Sequence, residues 1–387
     1  MTGINNTRRG ISDICMSIKK MHKKLIAMLL AVLMSGMWAG GVYTAYAEQD
    51  VDKISLQELY EIAVNNSIQI KIDDINVLLK EDALNQAKER AMFLGDAYGA
   101  ARVLDNRITK EVVPFERETD VEQAKRKKED DISSLKLSLY KTALNLELAK
   151  KELELEKKRL DLMLERYELM KAKKQQGSIT ESSLTDYEYN IESKRIDIAK
   201  AEEKVESVKN EIKRIAGISY DEILPEIDIA IVYEPLVNVN VNDAIKSCIE
   251  NDTNVYIQTR NIQALEKRLE LTGIYYGESS LEYKSRKYEL EKAKLSLEQM
   301  KTELEVRVRN SYSNLLNQKD RVLLAQSYLE LVQKKLKDVE LKYDNGFATK
   351  ETVINARESY MNAEYQLYSA IYNYIIMKSD FINLCKL

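Results

Sequence analysis

Residues 342–367 read KYDNGFATKETVINARESYMNAEYQL, and residues 173–198, which lie 169 positions earlier, read KKQQGSITESSLTDYEYNIESKRIDI. In each stretch a helical pattern breaks at a glycine, Gly346 or Gly177, and restarts at a threonine three residues on, Thr349 or Thr180. Glycine permits a sharp reversal and threonine can cap an outgoing helix, so the pair reads as two matched hairpin tips. After the second tip, the positions Val353, Ala356, Tyr360, Ala363, Leu367, Ala370, Tyr374, Met377, Phe381 and Leu384 alternate steps of three and four and are all apolar. The set shifted back by 169, from Leu184 to Ile215, is apolar at every position except Lys194. With 44% of the chain hydrophobic, chance would give about four of ten. Such spacing lays one stripe along a partner helix, as in a coiled coil.

The helices entering the tips carry the same seam. In the first, Leu135, Leu139, Thr142, Leu146, Ala149, Leu153, Glu156, Leu160, Met163, Tyr167 and Met170 alternate steps of four and three. The shifted set from Leu304 to Val339 departs only at Ser311 and Gln318. A second stripe in the first long helix (Leu137, Leu144, Leu148, Leu155, Leu162, Leu169) predicts a helix gripped on two sides, which suits a ring or tube and also a four-helix bundle.

Working outward, the seven glycines after residue 47 fall at five places: Gly95 with Gly99, Gly177, Gly217, Gly273 with Gly277, and Gly346. The order is glycine pair then tip, twice over. SLQELYEIAVNNS opens the first unit with Ser55 and Glu58 placed as a capping box, and Asn240 with Asp243 matches it in the second. Each unit therefore reads short helix, paired-glycine turn, long helix, tip, medium helix. The expected organisation is a first helical-hairpin repeat over 48–224, an extended linker over 225–240 and a second repeat over 241–387. The linker, within LPEIDIAIVYEPLVNVNVND, alternates with period two around Pro225 and Pro235, which predicts one or two short strands or an extended crossing.

Residues 1–47 read as a signal peptide. Lys19, Lys20, Lys23 and Lys24 precede an apolar run, and Ala45 and Ala47 place small residues before Glu48. An uncleaved anchor is the alternative, opposed by a short run broken by Ser35, Gly36, Gly40 and Gly41. Cys15 lies ahead of the run without a lipobox-like context. These features place the chain across the cytoplasmic membrane, in the cell envelope.

Composition excludes several functions. Six of the 59 basic side chains and one of the 63 acidic ones fall in residues 1–47, leaving a net of −9 beyond them, which argues against a nucleic-acid partner. The single histidine, His22, sits in the signal, so a His-based triad or His metal site is excluded by count. Cys248 and Cys385 are far apart in sequence and read as buried thiols. No phosphate-cradling glycine loop, nucleophile elbow or metal cluster is found, so neither an enzyme nor a cofactor is expected.

The openings, the tips and the Ala/Tyr seam together resemble the TolC family of outer-membrane efflux proteins, over essentially the whole chain after residue 47. The features that carry the resemblance are SLQELYEIAVNNS, then Tyr343, Gly346, Thr349, Val353 and Ala356, and Gly177, Ile179, Thr180 and Leu184, with Lys174 where Tyr343 predicts an aromatic. The resemblance implies a mainly α protomer with two tandem long hairpins. It also implies a homotrimer closed into a passive tunnel, and tips that dock onto a periplasmic adaptor and inner-membrane pump. Gly177, Ser178, Ile179, Thr180, Gly346, Phe347, Ala348 and Thr349 are the implied adaptor contacts; the plainer reading is that they only make tight turns.

One departure concerns the far end. After each paired-glycine turn the family inserts membrane strands, which need about 9 to 11 alternating residues. AARVLDNRITKEVVPFERETD is too charged and short for two of these, although VLDN and KEVVPF could form a small hairpin, and Gly277 leads straight into a helical pattern. A relative with most or all barrel strands missing is expected. It would sit in the outer membrane if a barrel is present, and otherwise at the cell wall or in the periplasm. The competing reading is an extracytoplasmic coiled-coil structural or interaction protein without a tunnel.

Overall fold

The computed structural model describes residues 53–236 and 239–386. The signal-peptide reading, with Cys15 and His22, lies outside the described residues. The elements in chain order are β1 (Lys53–Ser55), α1 (Leu56–Asn66), α2 (Ile68–Phe93), α3 (Ala100–Glu111), α4 (Val113–Gln175), α5 (Glu181–Ala216), β2 (Glu226–Asp228), α6 (Val241–Asn251), α7 (Thr253–Tyr275), α8 (Leu281–Asp344) and α9 (Lys350–Cys385). The fold is a set of long helices with little β structure, as expected. At about 1.5 Å per residue, α4 and α8, with 63 and 64 residues, are each about 95 Å long.

The single short helix expected at the start of each unit is in fact two. Ser67 ends α1 and caps α2 by accepting from the Ile70 amide at 3.4 Å, and Asp252 does the same between α6 and α7, accepting from Val255 at 2.9 Å. The Ser55 and Glu58 box is present: the Ser55 hydroxyl accepts from the Glu58 amide at 3.2 Å and Glu58 accepts from the Ser55 amide at 2.9 Å. That second bond holds the Glu58 carboxyl below the usual range. Asn240 departs from this plan and accepts from the Asn242 amide at 2.9 Å.

The hairpin considered for VLDN and KEVVPF is not formed. Those residues are α3, followed at once by α4 with Pro114 in its first turn, where a missing N–H costs nothing. Leu104, Ile108 and Val112 recur every four residues, and they pack on Ala264 and Leu271 of α7. A helical period with a partner waiting outweighs the β-branched composition. In the second unit, residues 276–280 alone join α7 to α8.

Side by side, the helices form four rows. The first is α2 followed by α5, the second α4, the third α7 followed by α9, and the fourth α8. Leu59 and Ala63 of α1 close a core with Leu139, Leu146, Val208 and Ile212 across α4 and α5, joined by Ile227 of β2. There β2 pairs parallel with β1 in the register Ile54 with Ile227. The second unit repeats the arrangement with Ile245 and Cys248 of α6 against Val308, Leu315, Tyr374 and Phe381. Cys385 belongs to the same core, and burial pushes its thiol up to about 11. Leu144, Ile231 and Ile375 then bind the two units together.

Candidate functional site

Both tips fold by one local rule. At the first, the Ser178 amide donates to the Lys173 carbonyl at 2.9 Å and the Gly177 amide to Lys174 at 2.8 Å. At the second, Phe347 donates to Lys342 at 2.7 Å and Gly346 to Tyr343 at 2.9 Å. These are paired Schellman closures, and they require a left-handed residue: φ is 72° at Gly177 and 78° at Gly346. The next helix is then capped by Thr180 on the Ser183 amide and by Thr349 on the Thr352 amide, each at 3.2 Å. Ile179 and Ala348 are half-buried, while Gly177, Ser178, Thr180, Gly346, Phe347 and Thr349 are exposed, Phe347 at 84%.

The tips lie together. Lys173 at the end of α4 pairs with Glu351 at the start of α9 at 2.9 Å, and Lys350 pairs with Glu165. The sequence departure at Lys174 also finds its reason. Lys174 pairs with Glu181 across the first tip; at the equivalent positions of the second, Lys350 stands 6.0 Å from the centroid of the Tyr343 ring. A salt bridge at one tip occupies the place of a cation–π contact at the other. Charge exchange at position pairs seven apart was the signal available in the sequence.

The two outer rows are a further feature that sequence periodicity did not disclose. On α2, only Ile70 and Asp73 are buried, whereas Ile68, Ile72, Ile75, Leu78 and Leu79 are 45–74% exposed. α2 instead meets α4 through charges: Asp74 with Lys128 at 2.5 Å, Glu81 with Lys125 at 2.7 Å, and Lys88 with Glu118 at 3.2 Å. Asp73 accepts from Gln69 at 3.1 Å and lies 3.4 Å from Lys127 on one oxygen, while its other oxygen has no partner. The inner side of α2 thus mixes these charges with Ile70, Val77 and Leu84, and five large apolar side chains stand on its exposed side among polar ones. On α8, Leu281, Tyr288, Leu295, Leu316, Leu324 and Leu331 are exposed along the side away from α7 and α9.

Polar exceptions within the seams are satisfied. The buried Gln318 donates to the Ala370 carbonyl at 3.1 Å, and Lys194 reaches Glu156 at 2.9 Å, so two off-pattern residues from different helices answer each other. Among the described residues there is no cluster of metal-ligating side chains, and no helix is long and apolar enough to cross a membrane.

No protein-family model and no curated protein sequence matches the chain. Solved structures do. The outer membrane protein VceC of Vibrio cholerae aligns with a TM-score of 0.64 at 11% identity, over 85% of this chain and 95% of that one. The Campylobacter jejuni CmeC outer membrane channel aligns with 0.61 at 13% identity, over 91% and 90%. The open-state Neisseria gonorrhoeae MtrE channel aligns with 0.63 at 13% identity, over 85% and 88%. The fold is that of the TolC-like outer-membrane channels, and the described residues differ from the barrel-bearing pattern in holding only the two three-residue strands.

Proposed function

We propose that the chain is the protomer of a passive efflux or secretion duct. Three copies close edge to edge into a helical tunnel, and the paired tips dock onto an adaptor that links the tunnel to an inner-membrane pump. The observation that carries this reading is the pair of bare apolar edges on the two outermost rows. Exposed patches of that extent mark association surfaces. Because α2 with α5 forms one edge and α8 the other, the contact is heterologous, and a heterologous contact either closes into a ring or runs on as a filament.

The edges also agree in level. The ion pairs set Asp74 to Lys80 of α2 against Asp120 to Lys128 of α4, and the repeat offset carries that stretch of α4 onto the part of α8 that bears Leu295. Lower down, Lys194 on Glu156 puts the exposed Tyr189 and Ile196 of α5 level with Leu324, Tyr328 and Leu331. The α2 charges would stay against α4 while its isoleucines enter the joint.

Light scattering on the chain from residue 48 onward tests the reading: a trimer mass at micromolar concentration is expected, and a stable monomer or dimer there defeats it. For the tips, Gly177→Pro with Gly346→Pro replaces a φ near +75° by one near −65° and removes a donated bond from each turn. Adaptor crosslinking should be lost while the trimer persists; crosslinking at the wild-type level would remove the tips from the mechanism. A second reading, an envelope coiled coil without a tunnel, is favoured by α3 and the five residues 276–280 standing where membrane strands belong. Membrane fractionation of native cells separates the two, since the coiled-coil reading predicts recovery only in the soluble extracytoplasmic fraction.

A further inference from the structure

A cleft of about 990 Å³ opens where α4, the end of α9 and the α6–α7 junction meet, with residues 230–234 of the linker along one side. Another cavity, between α4 and α2, measures about 450 Å³. Its volume falls in the range of small-molecule sites.

The charges in the cleft do not cancel locally. Its three acids are engaged: Asp130 accepts from Lys386 at 2.7 Å on one oxygen and from Thr253 at 2.8 Å on the other, and Asp252 caps α7. Glu234 stands 3.9 Å from Lys378. Two cations of the lining are left over. Lys136 of α4 and Arg307 of α8 make no ion pair with any described residue, and the Lys136 ammonium stands 6.0 Å from the centroid of the Tyr60 ring. The first turn of α7, whose N-terminus carries positive dipole, adds Thr253 and Asn254 to the lining.

The rest of the lining is mixed, with Leu137, Val232, Ile375, Ile382 and Leu384 beside polar side chains. Its polar members include Tyr60 and Tyr140, the amides of Asn251, Asn254 and Asn383 and the hydroxyls of Ser133 and Ser134. Rings that stack on C–H faces, neutral donor and acceptor pairs, and an unspent guanidinium form the recognition set for a polyol bearing an acid group. A guanidinium holds a carboxylate by two parallel N–H bonds, and an ammonium adds a point charge.

We infer that this cleft binds a carboxylated sugar of about disaccharide size, its acid group drawn by the unpaired charges of Arg307 and Lys136 and its ring set on the tyrosines. The inference does not depend on ring closure, because one copy supplies every lining residue. A duct made of such copies would carry one site per protomer, a means of holding it to an acidic glycan of the envelope.

The test is calorimetric titration of the chain from residue 48 onward with an unsaturated hexuronic-acid disaccharide and with a neutral disaccharide of equal size. The acidic probe should bind about tenfold or more tighter than the neutral one, and Arg307→Gln with Lys136→Gln should remove that margin. Neither side chain is paired with a described residue, so circular dichroism of the double variant should match wild type. Arg309→Gln, two residues away and outside the lining, should bind as wild type does. Equal binding of the two probes by the wild-type protein overturns the inference whatever the variants do. So does no heat from the acidic probe up to about 10 mM, or binding that survives in the double variant.

Discussion

Leu155 in α4 and Leu324 in α8 are equivalent by the 169-residue offset, yet Leu155 is 6% exposed and Leu324 is 71% exposed. The same contrast runs along both helices. Leu137 and Leu162 of α4 are half-buried, whereas Val306 and Leu331, their counterparts, are 52% and 48% exposed. The two helices have nearly equal length and the same seam, and they differ in neighbours. α4 is held between α2 with α5 on one side and α7 with α9 on the other, while α8 has a row on one side alone. The apolar side chains along that face of α8 are therefore left without a neighbour among the described residues.

Substituting the equivalent leucines gives the largest expected difference. Leu155→Ala leaves a cavity between packed helices and should cost the protomer about 2–4 kcal/mol in urea unfolding. Leu324→Ala should cost less than about 0.5 kcal/mol in the same experiment, because its side chain is already in water. Equal costs would show that α8 is as enclosed as α4 and would break the comparison. Next, Ile75→Glu with Leu79→Glu places two charges on the α2 edge. Association followed by sedimentation should weaken about a hundredfold or more, with monomer helicity unchanged, because an unpaired charge buried in an interface is strongly disfavoured.

The tips sharpen the comparison from the other direction, since there the two units are alike. Thr180→Ala and Thr349→Ala should each cost about 1 kcal/mol, and equally, by thermal unfolding; a cost confined to one tip would show that the caps are not equivalent. The smallest effect concerns salt. The α2 to α4 pairs are exposed and worth about 0–1 kcal/mol each, and raising salt from about 0.1 to 1 M shortens screening from about 10 to 3 Å. Hydrogen exchange in α2 should quicken severalfold, while α7, which buries Val255, Ile262, Ala264 and Leu271, stays protected. Equal salt response in both helices would mean that α2 is held by something other than its charges.

The tips were legible in the sequence because caps are short-range objects. A Schellman closure and a threonine cap engage residues within about six positions of one another, so glycine and threonine at fixed spacing are nearly sufficient evidence. The seams were legible because period carries the packing face, and Leu139, Leu146, Val205, Ile212, Val353, Ala363 and Phe381 are all buried as the period requires. The segment 100–111 was not. Its β-branched residues and the following Pro114 weigh against helix locally, and α3 owes its state to burial of Leu104 and Ile108 on α7, a partner more than 150 residues away. The cleft could not be seen either, because Lys136, Asp252 and Arg307 come from three elements that only the packed chain brings together.

Local chemistry and period were enough for the long helices, their repetition, the hairpin tips and the seam stripes of α4, α5, α8 and α9. Only the tertiary structure decided which stripes find partners within the chain. Burial is a relation between distant segments: Leu155 and Leu162 of α4 find neighbours within the chain, their counterparts Leu324 and Leu331 of α8 do not, and Ile68, Ile72 and Ile75 of α2 stand exposed while Ile70 is buried.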